Sequence, residues 1–308
     1  ADAAANVIAG GFSEGNTELV DLGAMRTEKQ KIAFAKMEAT GDDYIFIDNR
    51  DGSITCPEAL ALTLCDRHRG IGGDGLVLIE RSDIADVKMR SFNRDGSEGR
   101  MAGNSIRSVG KYVYDRGILP KTTLTVETAS GVHTLTLYTR DGAVTLCGVT
   151  MGRADFAAAS LPALTDKAEL VSAPLTVDGK TYTVTCLSVG NPHCVVFDDR
   201  IDALDLEVLG PQFEHAPIFP ERINTEFVRV VNRNMLKMRV YERGNGETPA
   251  CGTGACAAVA AAVRLGLCAA DEDITVKVRG GDLVVRASAQ GITLTGETKL
   301  VFEGVVYA

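Results

Sequence analysis

Cys251 is the residue of this chain best placed to do chemistry. It sits in Glu242-Arg-Gly-Asn-Gly-Glu-Thr-Pro-Ala-Cys-Gly-Thr-Gly254, a glycine-rich loop that runs into an apolar stretch, so the pattern predicts a helix beginning beside the cysteine. A thiol at a helix N-terminus feels the positive end of the dipole and unpaired N–H groups, which favour the thiolate. Cys251 is therefore a candidate base or nucleophile. The N–H groups of Gly252 to Gly254 are candidates to hold a substrate carboxylate and the charge that builds on it as an α-proton leaves. Cys256 and Cys268, outside this loop, fit the commoner role of a buried, inert thiol.

The same stretch is written a second time. Val87 to Gly103, VKMRSFNRDGSEGRMAG, lies without a gap on Leu236 to Gly252, LKMRVYERGNGETPACG, at an offset of 149 residues. The offset continues outside this window: Gly41-Asp42 falls on Gly190-Asn191, and Gly117 on Gly266. In this register Ala102 faces Cys251. A repeat of such length has no short period, so it predicts two halves of one architecture facing each other across a cleft rather than a solenoid.

The elements that must position these loops follow from period and punctuation. Short segments rich in β-branched residues predict strands at 44–48, 76–80, 87–92, 124–128, 181–187, 225–231, 236–241, 274–278 and 283–287. In each half the strand carrying Lys-Met-Arg leads into a glycine-rich loop and then a run closed by glycine, Asn104 to Arg116 and Thr253 to Leu265, the signature of a helix and its C-terminus. The run from Ala255 to Val263 has almost no polar face, so strands must surround it. The expected fold is α+β: two pseudo-symmetric domains, each a mostly antiparallel sheet wrapped around a central helix. The expected boundaries are 31–149 plus 297–308 for the first domain and 150–296 for the second. The last strand, from Leu300 to Tyr307, is expected to cross back to the first domain. Residues 1–30 have no basic, apolar signal-peptide pattern and are expected to be an extension of low structural content.

Composition narrows the function. With 308 residues, 45% hydrophobic and 24% charged, the chain can form two cores of ordinary domain size. A net charge of -9 without a basic run argues against nucleic acid as partner. The longest apolar stretch, Pro249 to Val263, is too short to span a bilayer. Eight scattered cysteines without a CxxC pair suit neither a zinc site nor a disulfide framework, and point to a reducing cytoplasm. No metal site is expected. Gly70-Ile-Gly-Gly-Asp-Gly75 matches a dinucleotide fingerprint, but a helix-like stretch precedes it and a strand follows, the reverse of the order that motif requires.

The motif ERGNGETPACGTGACAAVA closely resembles the second active-site motif of diaminopimelate epimerases, and FNRDGSEGRMAGNSIRSVGKY resembles their first. KMEATGDDY, DRHRGIGGDGL, SVGNPHCVVF and ERINTEFVRV extend the resemblance from about Ile32 to the C-terminus. It implies a cofactor-independent, two-base mechanism acting on a small amino-acid substrate, in which one thiol removes the α-proton and another delivers a proton to the opposite face. It also implies a homodimer. Carried over by position, Asn93, Asn191, Asn224, Glu242 and Arg243 would contact the distal groups of the substrate. Gly103, Asn104 and Ser105 in one half, with Gly252 and Thr253 in the other, would grip the reacting carboxylate. His193 and Glu242 would tune the thiols.

Two positions depart from that pattern. Ala102 stands where the family carries its first catalytic cysteine, so one face of the substrate lacks a base and the chain as written is expected to be inactive or impaired. Either the cysteine was replaced or this is a member that has lost or altered its activity. Asp42 stands where the family has asparagine, and a carboxylate beside a substrate carboxylate is repulsive unless one is protonated. That leaves a racemase acting on lysine, ornithine or histidine, or a non-catalytic amino-acid-binding protein, as alternatives to an epimerase of LL- and meso-diaminopimelate.

Overall fold

The computed structural model describes residues 30–99 and 104–307. The expected extension, Ala102 and Gly103 lie outside the described residues, apart from Gln30, which directly precedes the first strand.

The first half runs β1 (Lys31–Ala39), β2 (Asp42–Asp48), α1 (Pro57–Leu64), β3 (Gly75–Glu80), β4 (Val87–Asn93), β5 (Glu98–Gly99), α2 (Ser105–Asp115), β6 (Thr123–Thr128), β7 (Gly131–Arg140) and β8 (Ala143–Gly152). After β9 (Ala173–Val177) the order is repeated. β10 (Lys180–Ser188), β11 (Pro192–Phe197), α3 (Leu206–Glu214), β12 (Asn224–Asn232), β13 (Met235–Glu242) and β14 (Gly246–Thr248) precede α4 (Gly252–Arg264). β15 (Asp273–Val278), β16 (Gly281–Ser288), β17 (Gly291–Glu297) and β18 (Lys299–Tyr307) complete the chain. Each element from β10 to β17 begins within about three residues of the position that the sequence offset assigns it.

Pairing repeats as well. Neighbours are antiparallel except β2 with β3 and β4 with β6, and their counterparts β11 with β12 and β13 with β15. Even an ion pair is copied: Arg90 forks onto Glu98 at 2.8 and 2.9 Å, and Arg239 forks onto Glu247 at 2.8 and 3.0 Å. Such bidentate pairs fix the approach angle of two strands more strictly than a single contact does.

The sheets wrap the two helices foreseen in the sequence. α4 is buried continuously from Gly252 to Ala262 except for Thr253, and α2 buries Ser105 to Gly110 together with Tyr112 and Val113. The approach of sheet to helix is close: a Cβ added to Gly110 would lie 2.6 Å from a Leu137 methyl. Both helices and residues from both halves belong to one apolar cluster, so their burial, about 1.5–3 kcal/mol for each large aliphatic side chain, couples the halves.

Two strand pairings also join the halves. β8 pairs antiparallel with β17, and β18 returns to pair antiparallel with β1, from Lys31 opposite Tyr307 to Glu38 opposite Lys299. The β1–β2 turn meets the β15–β16 turn so tightly that a Cβ on Gly280 would lie 2.0 Å from the Thr40 carbonyl oxygen.

The glycine-rich segment 70–75 takes the place the element order assigned it. It wraps the end of α1, with the N–H groups of Ile71 and Gly72 both donating to Leu64 O at 2.9 Å, so these amides are spent on the helix terminus. A phosphate cradle needs them free.

Candidate active site

Cys251 is the N-cap of α4. Its backbone is extended, and Gly254 N–H donates to Sγ at 3.4 Å, with Thr253 Oγ1 at 3.5 Å from the same sulfur. Placement at the helix N-terminus is as the sequence predicts. Its expected consequence, a lowered pKa, is overturned. The thiol is pushed well above its ordinary value by burial, then by the carboxylates Glu242 and Glu226, and these outweigh the Thr253 hydroxyl and the Gly254 N–H. The helix terminus offers partial charges, whereas burial and two nearby carboxylates act on the full charge of a thiolate. Because Gly254 N–H is turned onto Sγ, the amides left for a carboxylate are those of Gly252 and Thr253, one fewer than expected.

Glu242 ends β13 and accepts a hydrogen bond from Thr248 Oγ1. Its own pKa is raised, first by burial and further by Glu226, with the Cys251 thiol hydrogen-bonding to it in the opposing direction. A carboxyl group that holds a proton readily, beside a thiol that parts with one reluctantly, is a pair suited to passing it.

His193, on β11, does not touch the sulfur directly. It is fully buried, with Nδ1 hydrogen-bonded to Glu226 Oε1 at 2.7 Å and Nε2 2.9 Å from Asn191 Oδ1. Asn191 in turn donates Nδ2–H to Thr253 Oγ1 at 3.3 Å. His193 thus reaches the thiol only through Asn191 and Thr253. The Asn224 side chain is engaged by backbone, donating to Pro192 O at 2.8 Å and accepting from Arg243 N–H at 2.9 Å. Arg243 is exposed, with Nη1 donating to Glu221 O at 3.1 Å. Asn93, at the end of β4, is also exposed and donates to Ser97 Oγ at 2.9 Å.

From the first half come Asp42, Asn104 and Ser105, the last opening α2. Asn104 Nδ2–H donates to Asp42 Oδ2 at 2.6 Å. Burial raises the Asp42 pKa to about 7; the Asn104 hydrogen bond opposes this, and Glu242, from the other half, adds to it. Tyr44, on β2 at the position matching His193, belongs to the same group: its hydroxyl is pushed up by burial and then by Asp42, Asp74 and Glu242. Carboxylates of both halves therefore lie close enough to act on one another.

The sign of the Asp42 shift gives a stability test. The folded chain holds this proton more tightly than the unfolded chain, so stability contributed by protonated Asp42 is present near pH 4 and is lost as pH rises towards 7. Asp42→Asn is expected to raise the melting temperature at pH 8 relative to the parent and to leave it nearly unchanged at pH 4. Equal effects at both pH values in thermal melts would show that folding does not raise the Asp42 pKa.

Sequence reasoning missed Glu226, Arg107 and Tyr44. The first two stand in runs that mix polar and apolar residues, Asn224 to Arg229 and Asn104 to Lys111, so nothing in their sequence neighbourhood sets them apart. The diaminopimelate epimerase family model matches residues 34–157 and 185–301, on both sides of the repeat. The chain belongs to the diaminopimelate epimerase family.

Its relatives in that family include the diaminopimelate epimerase of Acetivibrio thermocellus, 47% identical over 275 residues that cover 89% of this chain and 98% of the relative. The diaminopimelate epimerase of Desulfovibrio desulfuricans is 45% identical over 284 residues, covering 90% and 98%. Among solved structures, a hydroxyproline epimerase from Agrobacterium vitis with bound trans-4-hydroxy-L-proline superposes with a TM-score of 0.67 at 16% identity, covering 92% of this chain and 94% of that one. A phenazine biosynthesis protein of the PhzF family from Bacillus anthracis gives 0.66 at 17%, covering 91% and 100%. These likenesses establish the fold, which family members share with enzymes named for other substrates.

Proposed function

We propose that this chain is a diaminopimelate epimerase-type isomerase, built to interconvert LL- and meso-diaminopimelate in lysine biosynthesis, with one of its two proton-transfer groups absent at Ala102. The observation that carries this reading is Cys251 at the N-cap of α4, hydrogen-bonded to Gly254 N–H and adjoined by Glu242, in a cleft shared with Asp42 and Asn104. In the forward step the amides of Gly252 and Thr253 hold the reacting carboxylate and stabilise the charge that spreads onto it. Cys251 serves one face of Cα. In the neutral form that its surroundings favour it gives a proton, and after passing that proton to Glu242 it accepts one from the substrate. The opposite face belongs to position 102, where alanine can do neither.

The reading includes a cytoplasmic homodimer. Val301, Phe302 and Val305 on β18 leave about half of their surface exposed, which suits contact with a second copy. Among the described helices none is long and apolar enough to cross a membrane.

A second reading rests on the Asp42 and Glu242 carboxylates, which together favour a cationic group in the cleft, as on lysine, ornithine or histidine. Ligand-induced thermal shift separates the two. Meso- or LL-diaminopimelate at millimolar concentration is expected to raise the melting temperature, whereas lysine, ornithine and histidine leave it in place. The opposite ranking would move the assignment to an amino-acid racemase, and no response to any of them would favour a protein without this substrate class.

A further inference from the structure

One hydrogen bond is conserved between the halves while the charge behind it is reversed. In the first half Asn104 bonds to Asp42, and in the second Asn191, at the Asp42 position, bonds to Thr253, at the Asn104 position. Behind the first contact lies the guanidinium of Arg107, fully buried, donating Nη1–H to Asn104 Oδ1 at 2.9 Å and Nη2–H to Thr40 Oγ1 at 2.7 Å. Behind the second lies the carboxylate of Glu226, also fully buried, which holds His193 and through it Asn191.

Neither buried group is saturated by the described residues: among these, Arg107 Nε and Glu226 Oε2 have no hydrogen-bond partner. An unsaturated buried charge is costly and would be replaced by an apolar residue if packing were its only task. Glu226 also presses on the helix terminus itself, since a Cβ added to Gly254 would lie 2.7 Å from its Oε1.

We propose that Glu226 and Arg107 are opposed positioning residues that make the two helix N-termini electrostatically unequal, with Glu226 holding the Cys251 end as the proton-donating side of the cleft. The groups that face Cys251 are Glu242 from β13, Glu226 from β12, and His193 from β11 through Asn191 and Thr253; Asp42 faces Glu242 from β2. Of these, Glu226 is a carboxylate that can be neutralised without removing a residue proposed to contact substrate. The negative charge opposes thiolate formation, and the His193–Asn191–Thr253 chain fixes the hydroxyl beside the sulfur. The inference rests on the reading of Cys251 as an acid–base group, but its test does not use turnover.

The test is the pH dependence of Cys251 alkylation by iodoacetamide in the full chain, followed by mass on the Cys251 peptide. Glu226→Gln keeps an oxygen for His193 and removes the charge. It is expected to lower the pH midpoint by about one unit and to raise the rate near pH 8 about tenfold. Glu226→Asp, which keeps the charge, restores a midpoint close to that of the parent. A folded Glu226→Gln chain whose midpoint does not move overturns the proposal, as does Glu226→Asp behaving like Glu226→Gln. If Glu226→Gln does not fold, Thr253→Val cuts the chain at its sulfur end and is expected to raise the midpoint; an unchanged or lower midpoint overturns the proposal. Failure of the Ala102→Cys chain to epimerise, with this shift intact, would count against the proposed function and leave the inference standing.

Discussion

Ala102→Cys is expected to raise the rate of LL- to meso-diaminopimelate conversion by about 10²–10⁴-fold, the range by which a positioned general acid or base contributes. The expectation comes from the offset between the halves: Ala102 matches Cys251, and the elements around both positions are repeated in order and pairing. The parent chain supplies the comparison in the same assay. Circular dichroism on separated isomers, or coupled dehydrogenation of the meso product, reads the conversion directly. A folded Ala102→Cys chain that neither epimerises nor exchanges the α-proton of any amino acid tested would remove the enzyme reading altogether.

The second large effect concerns the thiol that is present. In heavy water the chain as written is expected to place deuterium at Cα of one stereoisomer without inverting it, because Cys251 can return a proton only to the face it took one from. Cys251→Ala is expected to reduce that exchange by about 10²-fold or more, to the solution background. Proton NMR of the Cα signal follows both. Because burial, Glu242 and Glu226 hold the thiol above its ordinary pKa, the exchange should still be rising at pH 8 and above. Equal labelling of both stereoisomers would mean that another group serves the second face, and exchange surviving in Cys251→Ala would mean that Cys251 is not the base.

Much of this could be seen in the residues. The β-branched segments became strands close to the predicted limits, and the glycine-closed runs became α2 and α4. Their period and punctuation are local and need no tertiary contact. α3 was not legible, because Gly210-Pro211 inside it gives a turn signal, whereas in the fold Asp205 caps its start and Phe213 anchors it in an apolar cluster. β1, β8 and β17 were also missed; each takes one of its two partners from far along the chain, β1 from β18 and β8 and β17 from each other.

For the site, the position of Cys251 followed from its flanking glycines, but its protonation did not. Burial decides it first, and the carboxylates that add to it, Glu242 and Glu226, lie nine or more residues upstream on separate strands. The same holds for Arg107, whose neighbours in sequence describe an ordinary helix and whose role depends on Thr40 and Asn104.

The return of β18 to β1 has a consequence for how the molecule is made. The first strand of the described fold finds this neighbour only after the elements of both halves have been synthesised. Until then the outer edge of β1 stays open, although everything else in its half has been synthesised, and such an edge can template pairing with another chain. Sequence repetition suggests two units that could fold one after the other, but closure of the first waits for a strand that follows the second, so β1 is sealed only once both halves have been made.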